Sequence, residues 1–306
     1  MKISVLIAAH HAAPTILRAI ASVQAQTHRD WELVVVEDGS ADGTEAIVRT
    51  VAAATRQSIR YANPGANGGV AAARNQLLQH ATGSAVAFLD ADDWWTPDHL
   101  RQGVACLAGG ADLVATGVRV FDLATERTLA EVRPPAALEL DPIGTLFAKS
   151  VIITSSCVLL TRAVQRRTGA FDTRFSVGED RDYWLRVAIA GGRLAIASGL
   201  TCNYAKHATS IMSRTQLVAA QAVRFHEKYL DQAAVPVAIR RRLLARSLAN
   251  AGRLQRATDA RASTRLLWRA WRLTPWNVGL LPHLAWSGAR MLGNHRLIIK
   301  HPHMPT

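Results

Sequence analysis

Three carboxylates follow directly on a short apolar run in Phe88-Leu89-Asp90-Ala91-Asp92-Asp93. Acids at the end of a buried strand can hold a hard divalent cation through oxygen, and such a cation can bridge a diphosphate and neutralise charge as it leaves. The stretch also suits a helix cap before Pro97, with Asp93 or Thr96 as the capping residue. Val36-Glu37-Asp38-Gly39-Ser40 has a similar form. An acid there can accept from the N–H of a nucleobase or from a ribose hydroxyl, or can belong to an ordinary strand–turn–helix junction.

Further along, Asn63-Pro64-Gly65-Ala66-Asn67-Gly68-Gly69 leads towards Arg74 and Asn75. A glycine-rich helix entry turns free amides and the positive end of the helix dipole towards an anion, although the spacing is that of neither a P-loop nor a dinucleotide fingerprint. Gly178-Glu179-Asp180-Arg181-Asp182 places several acids at a helix start, where one can take the proton of an attacking hydroxyl and the others can interact with the helix dipole. His207, beside Lys206, is a candidate metal ligand or phosphate donor.

The elements that must position these groups alternate. Residues 3–9, 33–36, 58–61 and 85–89 read as strands, and residues 15–26 and 69–80 as helices, the first with Ile16, Leu17, Ile20 and Val23 on one face. A further helix starts at Asp42, where Asp42 and Glu45 have the spacing of a capping box. Repeated strand–helix units require crossovers, hence an α/β fold with a mainly parallel sheet flanked by helices. Ligands bind beyond the carboxyl ends of such strands. His10 and His11, residues 37–40 and residues 90–93 all fall on that rim.

Residues 113–120 and 157–161 read as strands and 180–190 as a helix, which completes the sheet and forms an acceptor side. After about residue 215 come Arg-rich helical segments at 238–254, 260–273 and 277–291. The expected organisation is a catalytic region over 1–214, divided into halves 1–107 and 108–214, followed by a basic helical region over 215–306.

With 49% hydrophobic and 19% charged residues, the chain has ample material for a core and too little charge for a disordered one. The cysteines, Cys106, Cys157 and Cys202, show no metal-site or disulfide spacing, which suits a reducing compartment. His10, His11 and Pro14 interrupt the N-terminal apolar run, so it reads as a strand and not a signal peptide, and no stretch is long enough to span a bilayer. A cytoplasmic location is expected, with peripheral contact to the inner face of the membrane as an option. The net charge of +13 favours anionic partners without choosing among them.

Taken as an ordered set, residues 4–7, 22–27, 37–40, 73–75, 90–93 and 178–180 resemble the family-2 glycosyltransferases of GT-A fold, over roughly residues 2 to 210. The resemblance implies a Rossmann-like nucleotide-binding half with an acceptor half, and inverting transfer from a nucleoside-diphosphate sugar, most simply a UDP-sugar. The acceptor would be a hydroxyl of a saccharide or lipid-linked saccharide, in cell-surface polysaccharide or glycoconjugate synthesis. It implies that Asp38 contacts the nucleobase, that Arg74 lies near the base or diphosphate, and that Asp90 and Asp92 form a D-x-D motif for Mn2+ or Mg2+, with Asp92 in direct contact. Asp180 would be the base, with Glu179 beside it. Where the family commonly has Pro-x-Tyr-Asn, this chain has Ala8-Ala9-His10-His11, so Ala8 and His10 would line the donor site and His10 replaces the tyrosine that stacks on the base.

Other functions fit parts of the pattern: a nucleotidyltransferase, a catalytically silent sugar-nucleotide binder, or a basic nucleic-acid-binding protein. No nucleic-acid-binding signature is present, and the charge is concentrated in the C-terminal helices, so nucleic acid is not expected as a partner. There, arginines 240–242, 246, 253, 265, 269 and 272 are interleaved with Trp268, Trp271 and Trp276. Such helices can lie in an anionic membrane surface or pack with tryptophans inward and arginines solvated.

Overall fold

The computed structural model describes residues 1–125, 127–206 and 214–291. The chain divides into two compact units, Met1–Ser210 and Ile211–Thr306.

In the first unit the apolar run Ile3–Ala9 forms β1, with Trp31–Glu37 (β2) parallel on one side and Ala85–Asp90 (β4) parallel on the other; Ile59–Ala62 (β3) pairs with β2. Chain order reverses across β1, so a crevice opens at the carboxyl ends of β1, β2 and β4. The sheet continues through Val158–Thr161 (β8), Leu113–Asp122 (β6), Leu194–Lys206 (β9) and the two-residue Trp94–Trp95 (β5), while Arg127–Val132 (β7) pairs with β6. The pairing is parallel through β3-β2-β1-β4 and mixed beyond, because β8 runs antiparallel to both β4 and β6. β6 and β9 are parallel to each other. The expected α/β sheet with flanking helices is therefore present, with its antiparallel part in the second half.

Helices Ile16–Gln24 (α1), Thr44–Ala53 (α2), Val70–His80 (α3) and His99–Ala108 (α4) connect the strands. In α1 the buried face is Ile16, Ala19, Ile20 and Val23; Leu17, one position round the helix from Ile16, is 56% exposed, contrary to the sequence expectation. The expected capping box at Asp42 does not form. Gly43 takes a left-handed φ of 95° at the cap, and Asp42 instead accepts from the Thr44 amide and hydroxyl and, through its other oxygen, from the Ala13 amide. Burial would raise the Asp42 pKa, but these donors hold it at about 2.

Short helices Ala137–Leu140 (α5), Pro142–Ala148 (α6) and Arg162–Thr168 (α7) lead to Glu179–Ile189 (α8). α8 is anchored on the sheet by aromatics: Trp184 meets Phe88 of β4 edge-on at 5.7 Å, and Tyr183 stacks on Phe171 at 4.0 Å. All four rings are buried, so the start of α8 is fixed relative to the end of β4.

The second unit contains Thr215–Lys228 (α9), Val237–Gln255 (α10), Ala260–Leu273 (α11) and Leu281–Met291 (α12). Val223, Leu244, Leu248, Leu267 and Ala270 form the centre of its core. Asp259 caps α11 by accepting from the Ala262 amide at 2.8 Å. No helix of the described residues is long and apolar enough to cross a membrane.

Candidate active site

Asp90 ends β4 in register with Ala8 of β1. One Asp90 oxygen accepts from Arg74 Nη2 at 2.8 Å and the other from the Thr154 hydroxyl at 3.1 Å. The second arm of the guanidinium, Nη1, donates to Glu179 Oε1 at 2.5 Å. Arg74 and Glu179 are 4% and 7% exposed, so this pair is shielded from water. Burial works against the arginine charge, but Asp90 and Glu179 more than offset it and raise the Arg74 pKa above its ordinary value. A residue on α3 thus ties the end of β4 to the first turn of α8.

Gly178, at φ 79°, turns the chain into α8 and presents Glu179, Asp180 and Asp182 in its first turn. Their environments separate them. Glu179 faces Arg74, while Asp182 is buried against Arg186 one turn on, at 2.9 Å. Asp180 is half-buried and accepts from the Arg181 amide. Burial, followed by the neighbouring Glu179 charge, pushes its carboxyl up to about 7, although Arg74 pulls the other way. A carboxylate in this range can take a proton near neutral pH.

The acidic turn is braced from several sides. Asp93 is fully buried and accepts from the Ser156 hydroxyl at 2.5 Å, the Thr154 hydroxyl at 3.1 Å and the Ala205 amide at 2.8 Å. Burial, then the charges of Asp92 and Asp90, hold its carboxyl well above the usual range. Neither Asp93 nor Thr96 caps a helix, since α4 begins later, at His99, with Asp98 before it; Asp93 is used to join the turn to β9 and to the 3-10 turn Ser155–Cys157. The half-buried Asp92 has its backbone carbonyl held by Arg18 Nη2 at 3.0 Å, and the Arg18 guanidinium lies 3.8 Å above the Trp94 ring. A cavity of about 260 Å³ opens here, lined by Arg18, Trp94, Phe121, Asp122 and Leu123.

Across the crevice, the Asp38 amide donates to the Ala9 carbonyl, which sets the end of β2 beside that of β1. The Asp38 carboxylate accepts from the amides of Gly68 and Gly69 at 2.7 and 2.8 Å, one oxygen to each. His10 Nδ1 lies 2.9 Å from the Asp38 carbonyl, and its exposed ring packs edge-on against His11. The neighbouring Glu37 is buried, where it accepts from the hydroxyls of Ser40 and Tyr61. Asp38, His10 and the glycine-rich entry to α3 thus form one cradle, next to the acidic turn because β1 lies between β2 and β4.

Of the residues singled out in the sequence, Ala8, Asp90, Arg74, Glu179 and Asp180 come together through the Arg74 bridge and the strand register, and Asp38 and His10 lie on the adjoining wall. His207 lies outside the described residues. The parts of Thr154, Ser156 and Arg18 in the site carry no local sequence signal, because they rest on contacts 63 to 74 positions away.

Among the described residues no group of three or more His, Cys, Asp or Glu is arranged to hold a metal ion. Asp90 and Asp92 supply carboxylate oxygens, the donor type that Mg2+ or Mn2+ takes when one or two carboxylates share the ion with substrate phosphate oxygens and water, although both Asp90 oxygens already accept from Arg74 and Thr154.

The sequence profile of glycosyl transferase family 2 matches residues 4–167. The chain is 32% identical over 201 residues to the putative glycosyltransferase EpsE of Bacillus subtilis, covering 63% of this chain and 68% of EpsE. It is 32% identical over 182 residues to the putative colanic acid biosynthesis glycosyl transferase WcaA of Escherichia coli, covering 58% of this chain and 62% of WcaA. It therefore spans between three fifths and about two thirds of the length of these relatives. In fold it is similar to S. aureus TarS 1-349 in complex with UDP-GlcNAc, with TM-score 0.69, 19% identity, and coverage of 97% of this chain and 90% of that one. It is also similar to the Pyrobaculum calidifontis mannosyltransferase PcManGT in complex with GDP-Man and Mn2+, with TM-score 0.61, 21% identity, and coverage of 95% and 86%. The strand order, the acidic turn after β4 and the match over more than half its length agree: the chain belongs to glycosyl transferase family 2.

Proposed function

We propose that the protein transfers a sugar from a nucleoside-diphosphate sugar, with UDP as the favoured nucleotide, to a hydroxyl of a saccharide or lipid-linked saccharide, with inversion at the anomeric carbon, in the synthesis of a cell-surface polysaccharide or glycoconjugate. The observation that carries this reading is the Arg74 bridge between Asp90 and Glu179, which sets a carboxyl with a pKa of about 7, Asp180, beside the acidic turn.

In this reading residues 1–107 bind donor, 108–214 complete the acceptor side, and 215–306 form a basic helical appendage. Ala8, His10 and Asp38 hold the nucleoside: Asp38 keeps lone pairs for a base N–H beyond those given to Gly68 and Gly69, and the His10 ring covers the base. Asp92, with Asp90 and His207, would hold Mn2+ or Mg2+, which when bound neutralises charge on the departing diphosphate. Asp180 takes the proton of the acceptor hydroxyl. That oxygen attacks the anomeric carbon, the bond to the diphosphate oxygen breaks, and a nucleoside diphosphate leaves. Glu179 and Arg74 orient Asp180 and tune its charge. Peripheral membrane contact through the C-terminal unit belongs to the same reading, because a lipid-linked acceptor lies at a bilayer surface.

A thermal-shift screen of nucleotide sugars with and without Mn2+, followed by product analysis, tests the reaction. Stabilisation by a UDP-sugar and release of nucleoside diphosphate are expected. Release of pyrophosphate instead would assign a nucleotidyl transfer and overturn the proposal.

A further inference from the structure

We infer that the outward face of α11 docks on an anionic lipid bilayer, with Trp268 as its interfacial anchor and Arg261, Arg265 and Arg272 as headgroup contacts. The inference rests on the membrane part of the proposed function and assigns it to particular residues.

Residues 215–306 contain fifteen Lys and Arg against three acids, a net +12 of the chain's +13, so residues 1–214 are close to neutral. An electrostatic partner therefore meets the C-terminal unit. Within α11 the apolar face is already used: Ser263, Leu267 and Ala270 are buried in the unit's own core, and a Cβ on Gly252 of α10 would come within 2.9 Å of Leu267. Four exposed residues on the opposite side, Arg261, Arg265, Trp268 and Arg272, are spaced by four, three and four positions, so they form one stripe along the helix.

Trp268 is 50% exposed and stacks on Trp271 at 5.1 Å, and Trp276, just beyond the helix, is 77% exposed. Exposed indoles among arginines gain nothing from water, whereas at headgroup depth the ring is partly desolvated and the guanidinium groups reach lipid phosphates. Each basic residue near an anionic surface contributes on the order of fivefold in partitioning. Nucleic acid would satisfy the charge equally well, but an RNA or DNA partner would be contacted mainly through its phosphates, with a strong dependence on salt.

The test is flotation of the full chain with phosphatidylcholine vesicles that contain or lack phosphatidylglycerol. Wild type is expected to float only with phosphatidylglycerol. The triple variant R261Q/R265Q/R272Q should lose on the order of a hundredfold in partitioning, as three such contributions multiply. A control triple in the first unit, R49Q/R101Q/R174Q, removes the same charge and should float like wild type. Trp268→Ala should weaken binding even at salt concentrations that screen charge, a readout that simple charge attraction would not move.

Equal loss in both triples, absence of flotation by wild type, or binding of RNA in preference to these vesicles would overturn the inference. A UDP-induced thermal shift measured on the same preparations separates the outcomes. If the shift persists while flotation fails, only the docking surface is wrong; if the shift is absent while flotation holds, the choice of UDP as the nucleotide is wrong.

Discussion

The Arg74 guanidinium donates to Glu179 at 2.5 Å from within a shielded pocket, and with its other arm it holds the last residue of β4. One side chain thus joins the acidic turn to the start of α8, in addition to the packing of Trp184 on Phe88.

Arg74→Ala should be costly in two ways. Removing one partner of a buried ion pair strands the other, so stability should fall by about 3–5 kcal/mol in urea denaturation. Arg74→Lys keeps the charge but cannot fork between two carboxylates, so it should retain most of the stability while kcat drops by about tenfold or more. Equal kcat in Arg74→Lys and wild type would remove the bridge from the chemistry.

Asp180→Asn should reduce kcat by ~10²–10⁴ with UDP affinity little changed, the signature of a lost proton acceptor. The wild-type rate should rise with pH to a plateau above about 7, where the carboxyl has ionised. Stability should respond in the opposite sense. The folded protein keeps a proton on Asp180 up to about pH 7, whereas the unfolded chain releases it near 3.8, so this residue's contribution to stability falls as pH rises between those values. Asn cannot ionise, so the variant should match wild type near pH 4 and exceed it at pH 8. Parallel denaturation curves at the two pH values would refute the assignment.

Asp92→Asn should abolish Mn2+-dependent turnover and the extra thermal shift that Mn2+ gives in the presence of UDP. Asp92 is half-buried and its carbonyl, which Arg18 holds, is unchanged by the substitution, so the ligand-free melting temperature should move little. An unchanged response to Mn2+ would show that the ion is held elsewhere.

Gly39 takes φ 69°, and a Cβ there would lie 2.6 Å from the Asn67 amide nitrogen and 2.7 Å from the Ala66 carbonyl carbon. Gly39→Ala should therefore displace the 66–67 backbone and, with it, the amides that Asp38 grips. Donor KM should rise by about tenfold with a smaller change in kcat. A loss confined to kcat would argue against a donor cradle at this place.

The first half of the fold was legible because each buried strand of the β3-β2-β1-β4 region is a compact apolar run closed by polar residues, and the acids after β2 and β4 mark the rim. β5 and β7 were not legible. Two residues carry no periodicity, and β7 is almost wholly exposed, so hydrophobic alternation gives no signal there. The capping role that the sequence suited for Asp93 or Thr96, beside the metal-binding one, is not taken up for a related reason. Turn chemistry is local and visible in sequence, whereas the actual partners of Asp93, Ser156 and Ala205, lie 63 and 112 positions away. Leu17 was misplaced because adjacent apolar residues on a helix differ by 100° in direction, and only the packed structure selects which one faces inward.

The contrast between the two walls of the crevice bears on how such enzymes diverge. The acidic turn is riveted by Arg18, Thr154, Ser156, Trp95 and β9, whereas the opposite cradle depends on a pair of glycine amides and a surface histidine. If the proposed function holds, substitutions in residues 63–69 or at His10 would alter the contacts to the nucleotide while leaving the acidic turn and its braces in place, so donor choice could change without loss of the reaction.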